Sequence, residues 1–384
     1  MSTRDPVLPQ NVELRYLAEG AANIVYKVDS SAAPAIFKGK LLRLRKDLPT
    51  TLPCAEAWER WNQHIRPLLA PSEMLSPELI ALPDQLIARL NQHLRHLETV
   101  VQGRLDVGHP TTHRDRRPPS RHGVYLAPDA HGLLVTDMTP AGDAAVLEFK
   151  PKWLAQSPSA PSDAVRCRTC ALNARREHLQ RRRHAGPASP ATFCPLRLAS
   201  PSEDEVRKAA ASLLDPQTPP PRRSSLSSDA AGSLKLAGMP DGADPDDRRL
   251  PRFCAWARES QLFHRLQHLQ LSLDDQGVLA ATLDPSPQSG PPRPPPPALD
   301  NLLTAMTLRD CSVFLTFPAD ERAPLTARLG DLDHKSPLKL DRWRTVERQL
   351  LDEGWYTATE TYLSGEPPID MDCMLSLAPA RLQA

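Results

Sequence analysis

Hydrophobic and polar positions follow two different periods in the first part of the chain. Alternating apolar and polar residues predict strands over residues 12–17, 23–28 and 35–45, and we expect these strands to pair in a small antiparallel sheet. Apolar residues at helical spacing predict helices over residues 53–69 and 85–101. The N-terminal part of the chain therefore predicts a small sheet with helices packed against it.

The remaining elements are arranged around one short stretch. Residues 146–150 alternate between apolar and charged side chains and predict a strand, which Pro151 ends because proline has no amide to donate to a sheet. Apolar runs at residues 123–127 and 132–136 predict a hairpin. Further patterns predict helices over residues 166–184, 200–214 and 252–271, a strand over residues 311–317, and a helix that begins with Ser336 as N-cap and Pro337 as first residue.

The mixture of helices and strands indicates an α/β (α+β) fold, and 384 residues are enough for two domains. We expect an N-terminal lobe over residues 1–138 and a C-terminal lobe over residues 139–384. Residues 215–247 are poor in apolar side chains, and residues 286–297 are rich in proline. We expect both segments to be disordered insertions, because such compositions bury too little apolar surface to form a core.

Composition excludes several classes of protein. The net charge is only +1, which argues against a protein that coats polyanions such as nucleic acids. A highly anionic ligand would therefore need a local cluster of lysines and arginines to bind. We find no apolar run of about 18 residues, and we expect no membrane span. The seven cysteines are an odd number and are scattered apart from one Cys-x-x-Cys pair. This usage predicts free thiols in a reducing compartment, the nucleus or the cytoplasm.

Two lysines border the proline that ends the predicted strand. Lys150 and Lys152 project from a backbone that Pro151 restricts, an arrangement that suits a multiply charged anion such as a phosphate. The alternative is an edge strand with two solvated lysines.

A small-residue turn lies between the first two predicted strands. One glycine and two alanines in Glu19-Gly20-Ala21-Ala22-Asn23 would let backbone amides approach a phosphate, although a hairpin turn explains the same residues equally well. Lys40 and Arg43 on the third predicted strand are near enough in sequence to reach the same phosphates. Their alternative is a solvated strand face.

Carboxylates and lysines recur near the predicted strand at residues 311–317. Asp310 and Asp331 come from separate segments and could hold Mg²⁺, which takes oxygen ligands, or could simply cap turns. Lys335, Lys339 and Trp343 recur every four residues and approach one face of the predicted helix. Lysines at a helix N-terminus add their charge to the positive end of the helix dipole, and the two together favour the binding of phosphate.

The cysteine pair Cys167-x-x-Cys170, together with Cys194, leaves two interpretations open. One is a zinc site with His178 or His184 as the fourth ligand. The other is a group of buried thiols in a packed helix. Structural zinc sites usually show two close pairs and this chain shows one, so the sequence favours packed thiols over zinc.

Several of these segments together resemble the inositol-pentakisphosphate 2-kinase family, in its fungal-type form. The resemblance rests on pieces in the family's order: Glu19–Asn23, Glu148-Phe-Lys-Pro-Lys152, Arg166-Cys-Arg-Thr-Cys-Ala-Leu172, Phe193-Cys-Pro-Leu196, Met306-Thr-Leu-Arg-Asp-Cys311 and Asp331-Leu-Asp-His-Lys335. It implies a two-lobed inositol polyphosphate kinase-like fold with an ATP cleft between the lobes. The implied reaction is ATP-dependent phosphorylation of the 2-hydroxyl of inositol 1,3,4,5,6-pentakisphosphate to give phytate, with Mg²⁺.

The resemblance also implies roles for individual residues. It implies that Glu19–Asn23 cover ATP with Lys40, Arg43 and Glu148, and that the backbone of Thr136 and Met138 holds adenine. The implied catalytic residues are Asp310 and Lys150, and the implied metal ligands are Asp310 and Asp331. The implied inositol phosphate contacts are Lys150, Lys152, Arg176, Lys335, Lys339 and Trp343. We expect a monomer that binds small molecules and neither nucleic acid nor membranes.

Two departures from the family's pattern support a second hypothesis. Leu172 stands where relatives often carry a histidine, and the family's substrate-binding asparagines have no counterpart that we can place. A catalytically degenerate protein that binds inositol phosphates or acts as a scaffold would explain both. A protein or lipid kinase is less well supported, because the chain lacks the His-Arg-Asp and Asp-Phe-Gly motifs.

Overall fold

A computed structural model describes residues 6–10, 12–28, 34–99, 117–140, 142–183, 193–215, 236–237, 248–281, 297–361 and 369–377. Most of the two predicted insertions lies outside these residues. The described part of the chain forms two compact units, an N-terminal unit that extends to Thr139 and a C-terminal unit that starts at Pro140. Among the described helices, none is long and apolar enough to cross a membrane.

The N-terminal unit contains a five-stranded antiparallel sheet with the strand order β1-β2-β3-β5-β4. The strands are β1 (Leu14–Glu19), β2 (Asn23–Val28), β3 (Lys40–Arg45), β4 (Glu78–Ala81) and β5 (His131–Thr136). Helices α1 (Cys54–His64) and α2 (Leu86–Thr99) cover it. Because side chains alternate along a strand, Leu42 and Leu134 pack with α2, whereas Leu133 packs with Cys54 of α1.

Two sequence predictions in this unit are wrong in detail. The third strand begins at Lys40, because Ala35–Phe37 form a 3₁₀ turn instead. The hairpin predicted from residues 123–127 does not form, since these residues contribute only the isolated bridge between Leu126 and Lys46. Its partner β5 instead fills the gap between β3 and β4. The apolar run of residues 123–127 is therefore explained by burial of Leu126 and Ala127 without a strand.

The C-terminal unit contains a four-stranded antiparallel sheet with the order β7-β6-β8-β9. The strands are β6 (Ala145–Phe149), β7 (Leu236–Ala237), β8 (Ser312–Phe317) and β9 (Thr326–Gly330). The helices are α3 (Arg168–Arg183), α4 (Glu203–Leu214), α5 (Arg249–Ser260), α6 (Leu262–Leu273), α7 (Pro297–Leu308) and α8 (Leu340–Asp352). Strand β7 lies within the segment predicted as an insertion at residues 215–247.

An aromatic cluster joins the sheet of this unit to two of its helices. The ring of Phe149 lies 6.1 Å from that of Phe253 and 6.2 Å from that of Phe263. These helices, α5 and α6, were predicted as one helix over residues 252–271. Gln261 separates them because its backbone is left-handed, with φ of 54°. No glycine or proline marks this break in the sequence.

Candidate functional site

Three strand ends meet at one edge of the C-terminal sheet. Strand β8 runs antiparallel to both β6 and β9, so that Phe149 pairs with Val313 and Ser312 pairs with Gly330. The end of β6, the beginning of β8 and the end of β9 therefore lie side by side. The residues that follow or precede these ends are Lys150, Asp310 and Asp331, which explains how segments far apart in sequence come together.

Three lysines surround the carboxylate of Asp310. The Nζ atoms of Lys335, Lys152 and Lys150 lie 2.9, 3.2 and 3.5 Å from its oxygens. Burial raises the pKa of Asp310, but these ammoniums outweigh burial and hold the pKa well below its ordinary value. Asp310 is therefore ionised at physiological pH.

Lys150 connects the two aspartates that were predicted as metal ligands. Its Nζ atom lies 2.5 Å from Oδ2 of Asp331 and also donates a hydrogen bond to the backbone oxygen of Asp310. Only 9% of its side chain is exposed. Burial lowers the pKa of Lys150, but Asp331 and Asp310 raise it further, and the net pKa is above the ordinary value. This lysine is therefore a fixed positive charge.

The backbone is strained at two positions of this cluster. Lys152 has φ of 60° and Asp331 has φ of 54°, which are values that residues other than glycine rarely adopt. The buried amide of Gln270 holds the first position, because its Nε2 donates to the oxygen of Lys152 at 2.9 Å and its Oε1 accepts from the amide of Leu154 at 2.9 Å. Strain held in place by surrounding contacts is typical of functional sites.

The N-terminus of α8 supplies the other two predicted lysines. Ser336 caps this end as the sequence predicted, since its side chain accepts from the amide of Leu338 at 3.3 Å, although Pro337–Lys339 form a 3₁₀ turn before α8. The amide of Lys335 donates to Oγ1 of Thr307 at 3.1 Å. This contact fixes Lys335 against α7, and only 11% of its side chain is exposed.

The lysines at this edge repel one another. Burial lowers the pKa of Lys152, and Lys150 and Lys335 lower it further, so that Asp310 does not restore the ordinary value. Burial and the neighbouring Lys335 likewise lower the pKa of Lys339, although Asp310, Asp333 and Asp331 oppose them. An anion with several charges would relieve this repulsion. We name Lys150, Lys152, Lys335, Lys339, Asp310 and Asp331 the lysine–aspartate edge.

Trp153 directly follows the strained residue Lys152, and two arginines hold its ring in place. The guanidinium carbon of Arg309 lies 3.7 Å from the centroid of a Trp153 ring and that of Arg168 lies 4.4 Å from it. Arg309 in turn forms an ion pair with Asp274 at 2.5 Å. Contacts of this kind hold a planar side chain in one orientation. The sequence pattern did not indicate that Trp153, Gln270 and Arg309 hold the turn at Lys152, because the partners that they contact are distant in sequence.

Two predicted inositol phosphate contacts, Trp343 and Arg176, are not among the residues of the lysine–aspartate edge. Trp343 is half-buried and packs against an apolar cluster that includes Trp153, Leu340 and Leu303. Arg176 is exposed on α3. Glu148, predicted at the nucleotide, lies on β6 opposite Phe314. The roles of these three residues remain predictions.

The donor set of the edge fits Mg²⁺. Asp310 and Asp331 offer hard carboxylate oxygens, the type of ligand that Mg²⁺ prefers. The ammonium of Lys150 lies 3.5 Å from Asp310 and 2.5 Å from Asp331, so one positive charge already stands near both carboxylates. The two aspartates are therefore compatible with the predicted metal role.

In the N-terminal unit, Glu19 forms buried ion pairs. Its carboxylate lies 2.5 Å from Nζ of Lys46 and 2.8 Å from Nε of Arg117, and these side chains are almost wholly buried. Lys46 also donates to the backbone oxygen of Gly20 at 2.8 Å, and its amide donates to the oxygen of Ala22 at 2.8 Å. Glu19 and Lys46 thus fix the turn between β1 and β2, where Ala21 is exposed.

The other predicted nucleotide residues lie on β3 and at the end of β5. Nζ of Lys40 lies 2.8 Å from Glu78 and 3.5 Å from Oγ1 of Thr136. Arg43 is buried on β3, and Met138 is half-buried just beyond β5. Asn23 is the first residue of β2. Their contact with ATP remains a prediction.

The predicted cysteines lie together, apart from the predicted histidines. Cys167, Cys170 and Cys194 form one buried group, which a fourth thiol, that of Cys373, joins. His178 instead packs against Trp355, with ring centroids 5.4 Å apart and the ring planes tilted by 52°. His184 lies outside the described residues. All seven cysteines of the chain are described as buried free thiols.

Comparison with known proteins identifies the family of this chain. The family model for inositol-pentakisphosphate 2-kinase matches residues 16–349. A curated inositol-pentakisphosphate 2-kinase of Yarrowia lipolytica is 28% identical over 348 residues, which cover 88% of this chain and 91% of that relative. The matched range, residues 16–349, spans the lysine–aspartate edge and the predicted nucleotide residues. The chain therefore belongs to the inositol-pentakisphosphate 2-kinase family.

Proposed function

We propose that this protein transfers the γ-phosphoryl group of ATP to the 2-hydroxyl of inositol 1,3,4,5,6-pentakisphosphate, giving inositol hexakisphosphate. Family membership supports the reaction class. The observation that carries the proposal is the lysine–aspartate edge, where Lys150, Lys152 and Lys335 contact two carboxylates at the meeting of three strand ends.

The lysines would hold the phosphates of the inositol ring. Lys152 is the most open of the three lysines at Asp310, with 37% of its side chain exposed, whereas Lys335 and Lys150 are nearly buried and presented at fixed positions. An ammonium binds a phosphate as a point charge and requires no bidentate geometry. Charges that are already placed lose little freedom when the ligand binds, which favours affinity and orientation.

Asp310 and Asp331 would have an electrostatic role. Phosphoryl transfer through a loose transition state depends mainly on positioning and neutralisation of charge. Asp310 and Asp331 would hold Mg²⁺, which would supply positive charge to offset the negative charge of the transferred phosphoryl group. Because three ammoniums lower the pKa of Asp310, this carboxylate is a weak base, and its depressed pKa favours holding a cation over accepting the hydroxyl proton.

The N-terminal unit would supply the nucleotide contacts. The turn Gly20–Ala22 is anchored by Glu19 and Lys46 and presents small residues. Such a turn lets backbone amides approach a phosphate without a bulky side chain in the way. The proposed ATP residues of this unit are Glu19–Asn23, Lys40, Arg43, Thr136 and Met138, and Glu148, on β6 of the C-terminal unit, is kept as a further proposed ATP residue.

A product assay tests this function against the degenerate binder. Purified protein is incubated with ATP, Mg²⁺ and inositol pentakisphosphate, and the products are separated by anion exchange. We expect inositol hexakisphosphate and ADP in equal amounts, and no ADP when the inositol phosphate is omitted. Binding of inositol pentakisphosphate without any product would instead establish the degenerate alternative.

A further inference from the structure

The pairing of strands does not by itself fix the position of Lys152. Strand β6 ends at Phe149, and Lys152 lies beyond this end, after Pro151. Its ammonium nevertheless lies 3.2 Å from Oδ1 of Asp310, and its backbone has φ of 60°. A residue other than glycine keeps such a backbone only where surrounding contacts hold it there. For Lys152 these contacts come from α6.

Gln270, in the last turn of α6, binds the backbone on both sides of Trp153. It is fully buried, its Nε2 donates to the oxygen of Lys152 at 2.9 Å, and its Oε1 accepts from the amide of Leu154 at 2.9 Å. Because a backbone oxygen only accepts and a backbone amide only donates, these two partners fix the orientation of the Gln270 side chain. Pairing both ends of the amide offsets the cost of burying it.

The two contacts depend on the chemistry of a glutamine side chain. Methionine has a similar length but carries neither the amide donor nor the amide acceptor, and an ionised glutamate has no donor for the oxygen of Lys152. Asparagine carries the same amide one methylene closer to its own backbone. Gln270 therefore suits a role that needs one donor and one acceptor at a fixed distance from α6.

A buried ion pair holds Gln270 in turn. Nη2 of Arg309 donates to the backbone oxygen of Gln270 at 3.2 Å, and Nη1 of Arg309 pairs with Asp274 at 2.5 Å. Both members of this pair are almost wholly buried. Arg309 directly precedes Asp310 in the chain. The same buried contacts therefore connect the backbone of Lys152 to the residue before its ion-pair partner Asp310.

We propose that Gln270 is a positioning residue for the inositol phosphate, and that it acts by holding the backbone of Lys152 so that the ammonium stands beside Asp310. This inference rests on the proposed function, because it takes Lys152 as a contact of the inositol phosphate. Without the hydrogen bonds of Gln270, the backbone of Lys152 can relax toward negative φ, and its ammonium is no longer placed in advance. The ligand must then order the ammonium as it binds, which weakens affinity.

Steady-state kinetics of Gln270→Met measure this effect. We expect the KM for inositol pentakisphosphate to rise about fivefold, which corresponds to the net contribution of about one hydrogen bond. The KM for ATP and kcat should stay within about twofold of the wild-type values, because a loss of ligand binding alone leaves kcat unchanged. A KM for ATP that rises as much as that for inositol pentakisphosphate would contradict a role that acts through Lys152.

The double variant Lys152→Ala/Gln270→Met separates positioning from general support of the fold. Once the ammonium is removed, its placement has no further effect on the ligand. The KM of the double variant for inositol pentakisphosphate should therefore stay within about twofold of that of Lys152→Ala. If the effects of the two substitutions on this KM multiply instead, Gln270 does not act through Lys152.

Gln267 provides the matched control. It lies one turn earlier on α6, and its Nε2 donates to the oxygen of Leu154 at 2.8 Å. Gln267→Met therefore removes a hydrogen bond between the same helix and the same segment without removing a contact of Lys152. We expect a lower melting temperature but a wild-type KM for inositol pentakisphosphate. If Gln270→Met does not fold, Gln270→Asn replaces it and should raise this KM in the same way.

The outcomes distinguish this inference from the proposed function. A wild-type KM for inositol pentakisphosphate in Lys152→Ala would show that Lys152 does not hold the ligand, and the role of Gln270 would be wrong with it. A raised KM in Lys152→Ala together with a wild-type KM in folded Gln270→Met or Gln270→Asn would leave the proposed contact intact and overturn the positioning role. We expect this KM to be raised in Lys152→Ala and in Gln270→Met, and unchanged in Gln267→Met.

Discussion

Lys150 and Asp331 form an ion pair of 2.5 Å although 181 residues separate them in the chain. Strand β8 makes this possible, because it pairs with β6 on one side and β9 on the other and brings their ends to one edge. Asp310 lies two residues before β8, and its carboxylate contacts the ammoniums of three lysines. The three strand ends therefore bring lysines and aspartates together. Because the lysines of this edge outnumber its aspartates, the edge carries net positive charge that an anionic ligand can neutralise.

We expect Asp310→Asn to lower kcat by about a thousandfold, or ~4 kcal/mol of transition-state stabilisation. The substitution keeps the shape of the side chain but removes the charge that Lys335, Lys152 and Lys150 surround. Initial rates over a Mg²⁺ titration measure the effect. Asp320→Asn, at an exposed turn, is the matched control and should keep the wild-type rate. A rate close to that of the wild type in Asp310→Asn would exclude this residue from the mechanism.

The strained backbone of Lys152 gives a prediction about stability. Glycine adopts a φ of 60° without steric cost, so Lys152→Gly should be more stable to urea than Lys152→Ala by about 1 kcal/mol. Both variants lose the same charge and should have similar kinetic constants. The matched control is Lys208, in the middle of α4, where glycine should instead be the less stable of the two substitutions. Equal stability of the two variants at position 152 would argue against backbone strain there.

Sequence patterns predicted the parts of this site that depend on neighbouring residues. Alternation followed by Pro151 predicted the strand β6 and its end, and Ser336-Pro337 predicted a cap and a helical start. Both are local, because an N-cap and a strand-ending proline act on residues within one turn. The candidate lysines lie within or beside these local patterns, whereas the metal role of the aspartates was implied by the resemblance to the inositol-pentakisphosphate 2-kinase family.

Features that depend on distant partners were not predictable in this way. Gln270 and Cys373 are single residues without a local pattern, and only the folded chain brings them to Lys152 and to Cys167. Strand β9 was missed because it has only five residues and ends in Gly330, and its pairing with β8 determines its structure. Gln261 breaks a continuous helical pattern without a glycine or proline, so the apolar spacing alone predicted one helix.

Asp129 gives the N-terminal unit a contribution to stability that depends on pH. Its carboxylate accepts hydrogen bonds from the amide of Cys54 at 2.9 Å, from Nε of Arg45 at 2.8 Å and from the amide of His131 at 3.1 Å. Burial raises the pKa of Asp129, but these donors outweigh it, and the pKa is below its ordinary value. Its stabilisation is therefore present above the unfolded pKa of about 3.9 and is lost as the pH falls through the lower folded pKa.

We therefore expect Asp129→Asn to be less stable than the wild type at neutral pH, and the difference to shrink as the pH falls below about 4. Thermal unfolding of both proteins between neutral and acidic pH measures it. Asp320→Asn again serves as the control, because its exposed turn should show little difference at any pH. A difference for Asp129→Asn that does not change with pH would show that the charge of Asp129 is not responsible.

Steady-state kinetics of Lys152→Ala, Lys335→Ala and the double variant test the lysine–aspartate edge most directly. We predict that each single variant raises the KM for inositol pentakisphosphate about tenfold, or ~1.4 kcal/mol, with a smaller change in the KM for ATP. Added salt should raise the wild-type KM for inositol pentakisphosphate more than that of the double variant. Lys208→Ala, on the exposed face of α4, should match the wild type. If both constants of Lys152→Ala and Lys335→Ala stay within about twofold of the wild-type values, roughly 0.4 kcal/mol, these lysines do not hold the inositol phosphate.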